Sequence, residues 1–242
     1  MTKLITAASQ PASVRQIQHK PPFLVVLALL AVTGAGAHFS CTLLRQIVNS
    51  DTLTLAELPL PRPEMAMFEK CGAGIMLPPL FAPEIAWTTQ PGRIAVSVSV
   101  EYSVSLWEGG RPTRIVRREV EPLPASRDQA IAYLGEGMRF NFGRGPCLIE
   151  AAEMVDKRGY AAIIPLIESV LLSPSGELWV QRFTVDRDAT APIDVFDARG
   201  AYVGTLVRDS FSPVILLPRG RVGIAETDEL DVQRLVVLSV AR

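Results

Sequence analysis

The chain has 242 residues, with 24 basic and 25 acidic side chains and a formal charge of −1. That is length for one large domain or two small ones. Residues 1–37 hold Lys3, Arg15 and Lys20 and no acid, so residues 38–242 carry 21 basic and 25 acidic side chains, a net of −4. This balance argues against a nucleic-acid partner, which calls for a basic face.

Residues 1–37 read as a signal peptide or signal anchor. A basic stretch precedes an apolar run from Phe23 to about Val32, and Ala35-Gly36-Ala37 follows as a small-x-small cleavage pattern. The apolar run is shorter than the roughly 20 residues of a spanning helix. The expected location is therefore exported, periplasmic or extracellular, or anchored through residues 23–37. Residues 38–80 are rich in proline ("LPLPRPEM", "MLPPLFAP") and read as an extended connector or a partial blade. The three cysteines, Cys41, Cys71 and Cys147, fit no CxxC or zinc spacing. An oxidising compartment would permit one bridge, but buried free thiols are the favoured expectation.

From residue 81 onward a hairpin recurs. "IAWTTQPGRIAVSVSV", "VLLSPSGELWVQRF" and "VILLPRGRVGIAE" each place an apolar run, a Pro-containing turn, a glycine and a second run in order. The glycines are Gly92, Gly176 and Gly220, and their separations of 84 and 44 residues are two periods and one period of about 42. "YSVSLWEGGRPTRIVRREV" and "IDVFDARGAYVGTLV" then add two strands each to the first two hairpins, and "LDVQRLVVLSV" adds one to the third. Four antiparallel strands per period describe a propeller blade. In the strand around "IAVSVSV", Ile94, Val96, Val98 and Val100 alternate with Ala95, Ser97 and Ser99. A bulky face backed by a thin one suits a sheet covered on both sides, with Trp107 and Trp179 adding area between blades. Residues 121–166 interrupt the repeat as a helical insertion. Ser126 and Gln129 have capping-box spacing, Ile131, Leu134 and Met138 share a face over about three turns, and a second helical piece falls near Glu150 to Lys157.

These elements, with the "SGELWVQRF" and "DELDVQRLVVLSV" stretches, resemble the C-terminal blades of exported bacterial six-bladed β-propeller proteins of the NHL and TolB-like kind. The resemblance covers about residues 80–242 and implies an all-β, incomplete β-propeller of about two and a half four-stranded blades. A six-bladed ring needs roughly 250–280 blade residues. The favoured expectation is a fragment of a larger propeller. The other two are closure by self-association through the uncovered blade face, and fold-back of residues 42–80.

For chemistry, His38 is the one histidine beyond the leader, and no G-x-S-x-G elbow occurs. No catalytic residue, metal or cofactor is expected. The connections between second and third strands carry Glu101, then Asp186, Arg187 and Asp188, then Asp228, Glu229 and Asp231, with Arg182 beside them. In a propeller such loops share one rim, so these eight are the candidate residues for binding a protein or a small polar ligand. The expected function is non-catalytic binding or scaffolding at the cell envelope. The alternative is a lactonase-like propeller hydrolase with a divalent metal. For that, the first strands offer only Glu84 and Glu168 with Ser169.

Overall fold

The structure is a computed structural model that describes residues 29–30, 41–48, 51–59, 63–70, 73–141, 146–187, 189, 191–206, 212–227, 229 and 231–240. It is mostly β. Strands β1 (Leu29–Leu30), β2 (Cys41–Val48) and β3 (Asp51–Pro59) form one antiparallel sheet, and β4 (Ala66–Lys70) and β5 (Ala73–Leu77) form a hairpin. Strand pairing thus runs through much of the stretch expected as connector or partial blade. Of the expected leader, all but Leu29 and Leu30 lies outside the described residues.

Two four-stranded meanders follow. The first is β6 (Ile85–Gln90), β7 (Arg93–Val98), β8 (Ser103–Glu108) and β9 (Arg111–Arg117). After it come α1 (Arg127–Leu134), the hairpin β10 (Met138–Asn141) and β11 (Pro146–Ile149), and α2 (Ala151–Arg158). The second meander is β12 (Ile167–Leu172), β13 (Leu178–Arg182), β14 (Ile193–Phe196) and β15 (Tyr202–Leu206). A three-stranded sheet closes the order: β16 (Pro213–Leu217), β17 (Arg221–Thr227) and β18 (Gln233–Ser239). Gly92, Gly176 and Gly220 sit in the three first turns, each with positive φ, a conformation glycine adopts without a Cβ penalty.

The sheets are layered through their first strands: β6 lies against β12, and β12 against β16. The thin side of the first meander, Ala86 and Ala95 with Val104 and Val116, packs on Val170, Leu172, Leu178, Val180 and Phe196 of the second. The opposite side of the second meander places Trp179 and Ile193 on Leu216 and Val222 of the third sheet. Trp179 therefore packs between sheets as expected. Trp107 is half-buried, and its indole N–H is the only buried side-chain polar atom without a hydrogen-bond partner among the described residues.

The insertion differs from expectation in one respect. Helix α1 has its capping box: Gln129 N donates to Ser126 Oγ at 3.2 Å, and Ser126 N donates to Gln129 Oε1 at 2.9 Å. It stops after eight residues, at Gly135, and Met138 begins a strand instead of a third turn. Gly137 shows why. Its φ is +103°, and a Cβ there would lie 2.0 Å from the Ile149 carbonyl oxygen, so the chain turns closely against β11 where no side chain fits. Arg127 joins α1 to α2 by two hydrogen bonds to Asp156, at 2.8 and 3.0 Å. Phe68, Ile149 and Met154 bind the β4–β5 hairpin, β11 and α2 into a small core of their own.

Cys147, in β11, is buried and disulfide-bonded. This corrects the expectation of free thiols. Spacing along the chain carries no information on which cysteines meet in space.

Candidate functional site

Two polar constructions lie where the first and second meanders meet. The first is centred on Asp194, an acid in the otherwise apolar strand "IDVF" and fully buried. Arg182 donates to it from Nε and Nη2, each at 2.8 Å. Tyr102 and Thr205 donate their hydroxyls to the same carboxylate, and Arg118 Nη1 donates at 2.5 Å. The Arg118 guanidinium also lies over the Tyr202 ring, 4.4 Å from its centroid. Burial pushes the Asp194 carboxyl upward, but the hydrogen bonds from Arg182, Thr205, Tyr102 and Arg118 outweigh it and hold the group below its ordinary value. Burial, then the bond to Asp194, raises the Tyr102 phenol well above its ordinary range. Every oxygen is spoken for, so this cluster acts as a clasp between the two meanders.

The second construction is a cleft of about 270 Å³ at the starts of β6 and β12. Leu166 N donates to Ser99 O at 2.7 Å and Phe183 N to Leu166 O at 3.2 Å, which ties the strand ends at its base. Phe81, Tyr133 and Phe183 form the apolar wall, with ring centroids 5.4, 5.9 and 5.5 Å apart in edge-to-face and tilted contacts. Phe81 holds φ at +58°, a left-handed conformation that a bulky residue rarely adopts. Glu84, Glu168, Arg158 and Arg187 supply the charge. Tyr133 and Leu134 bring α1 to the cleft, and Arg158 brings the end of α2.

The charged groups are held differently. Arg158 donates from Nε to the Pro78 carbonyl, and burial draws its guanidinium below the ordinary value while Tyr133 and Glu84 oppose that. The Arg187 guanidinium lies 4.3 Å from the Tyr133 ring centroid. Glu168 stands at a β-bulge. Pairing steps from Ile167↔Arg182 to Ser169↔Gln181, so Glu168 is the extra residue on its strand. Desolvation raises its carboxyl above the usual range.

The sequence-derived rim residues divide. Arg187 lines the cleft, and Asp186 adjoins it along α1. Glu101 is exposed in the β7–β8 turn and lines a separate depression with Ser103 and Ser105. Arg182 turns inward to Asp194. Glu229 and Asp231 are exposed in the β17–β18 connection, Asp231 with φ at +58°. Asp188 and Asp228 lie outside the described residues. Sequence reasoning missed Tyr102, Arg118, Asp194 and Thr205, and it missed Phe81, Tyr133, Arg158 and Phe183. One signal was available: an acid inside an apolar strand with sheets on both sides needs partners. Among the described residues no group of three or more His, Cys, Asp or Glu side chains is placed to hold a metal ion.

No protein-family model matches the chain, and no curated protein matches it.

Proposed function

We propose that this chain is a non-catalytic binding or scaffolding module of the cell envelope, built from β-propeller blades that belong to a larger ring. The layering of β6, β12 and β16, with a thin face set on a bulky one, supports the blade reading. The disulfide at Cys147 supports an oxidising compartment.

The observation that carries the reading is the outer face of the third sheet. Ile215, Gly223 and Val237 are cross-strand partners, and Leu235 follows on the same face of β18. Ile215, Val237 and Leu235 are 41%, 46% and 61% exposed. This is the side turned away from Trp179, and its apolar row has the character of the faces that meet inside the stack. Another blade of the same kind covers it, from a second copy or from the remaining blades of the ring.

Light scattering after size exclusion tests this. The wild type self-associates as its concentration rises and binds an exposed-hydrophobe dye, and Leu235→Lys reduces both. A monomer that binds no dye overturns the reading. A hydrolytic alternative runs through Glu84 and Glu168, which share the cleft. Calcium-dependent turnover of a lactone would replace the binding reading with that one.

A further inference from the structure

We infer that the cleft between the first two meanders and α1 binds a small zwitterion with an apolar body, of the hydrophobic α-amino-acid class. Its volume of about 270 Å³ lies just below the ~300–1,000 Å³ of pockets for drug-sized ligands. That size suits an amino acid. Its lining combines three aromatic rings with both signs of charge, two carboxylates and two guanidiniums. A purely anionic ligand meets Glu84 and Glu168, and a purely cationic one meets Arg158 and Arg187. A ligand with an ammonium and a carboxylate meets neither penalty.

Two of the charged groups have spare capacity. Glu168 has no hydrogen-bond or ion-pair partner among the described residues, and it is set into the cleft by a bulge, a device that re-aims a side chain at a site. Arg158 spends Nε on Pro78, and its terminal nitrogens make no hydrogen bond among the described residues. The ammonium is received at Glu168 and the carboxylate at Arg158, with Arg187 held beside it by Tyr133. The apolar body lies on Phe81, Tyr133 and Phe183. The left-handed backbone at Phe81 is a second local departure from regular geometry at the same cleft, as strained residues at binding sites are.

The test is calorimetric titration of the full chain with L-phenylalanine, 3-phenylpropanoate and 2-phenylethylamine. The phenyl body is constant and each charge is removed in turn. L-Phenylalanine binds about tenfold or more tightly than either analogue. Glu168→Gln weakens L-phenylalanine and phenylethylamine and does not weaken phenylpropanoate, which meets one like charge fewer. Arg187→Gln weakens L-phenylalanine and phenylpropanoate and does not weaken phenylethylamine, which meets one like charge fewer. Circular-dichroism melts check each variant's fold, and if a variant does not fold, the three-compound series on the wild type decides. No heat with L-phenylalanine up to its solubility limit overturns the inference, as does equal binding of all three compounds. This site is remote from Leu235, so its failure leaves the blade reading intact, and a dye-negative monomer leaves this one intact.

Discussion

Arg182 grips Asp194 with both arms of its guanidinium, Nε to Oδ2 and Nη2 to Oδ1, each at 2.8 Å. The two residues belong to neighbouring strands of the second meander, yet the carboxylate they share also receives Tyr102 and Arg118 of the first. Asp194→Ala would leave two guanidiniums part-buried and uncompensated. The expected cost is about 3–5 kcal/mol, read as a lower urea midpoint. Tyr102→Phe keeps the ring and removes one of several donors, for a cost of about 1–2 kcal/mol.

The same carboxylate sets part of the acid response. Its folded pKa lies below the unfolded value of about 3.9, so its stabilisation is complete above that value and is lost as pH falls through the folded one. Urea midpoints measured against pH should fall steeply on the acid side. Asp194→Asn should shrink that limb without abolishing it, because Asp156 and Asp197 are also held low, each first by its hydrogen bonds, from Arg127 and from Ala201 N.

Trp179 is the largest side chain in the core between the second and third sheets. Trp179→Ala should cost about 3–5 kcal/mol, and Trp179→Phe less. Hydrogen exchange locates the effect: amides of β16–β18 should lose protection first, while those of β6–β9 keep theirs.

Reduction should lower the melting temperature, and Cys147→Ser should reproduce that loss, at about 2–5 kcal/mol. Peptide mapping without reduction identifies the partner of Cys147 as Cys41 or Cys71. A free thiol at Cys147 in protein from an oxidising compartment would contradict the structure.

Gly200 tests the clamp between meanders. Its φ is +82°, and a Cβ there would lie 3.0 Å from Arg114 Cδ and 3.2 Å from Val116 Cγ2. Gly200→Ala should destabilise by more than the ~1 kcal/mol that a compatible glycine site would gain. The turn it closes is pinned from the first meander, where Arg114 Nη1 donates to the Ala198 carbonyl at 2.6 Å.

What was legible in the sequence was local. The three first turns announce themselves because Gly92, Gly176 and Gly220 follow proline at short range, and alternation marks the strands beside them. Asp197 and Gly200 likewise specify their own turn: Gly200 N donates to Asp197 O at 2.9 Å, and Asp197 Oδ1 accepts from Ala201 N at 2.8 Å. The capping box was readable for the same reason. The end of α1 was misjudged because Met138 keeps helical spacing while Gly137 obeys a contact with Ile149, a residue on another strand. The candidate site was scarcely legible. Glu84, Glu168, Arg158 and Arg187 come from four separate segments, and a bulge that re-aims Glu168 leaves no mark in spacing. Arg182 looked like a rim residue because its partner, Asp194, lies on the neighbouring strand, 12 positions away in the chain.

The layering of self-contained meanders has a consequence for synthesis. Each sheet pairs only strands that are consecutive in the chain, so each closes most of its contacts soon after its last strand leaves the ribosome. The strand pairing of the first meander needs no later residue, but Tyr102 and Arg118 wait for Asp194, which arrives more than seventy residues later. Until then its thin face is open and sticky, and the rate at which residues 119–194 emerge sets how long a half-made chain stays vulnerable to aggregation.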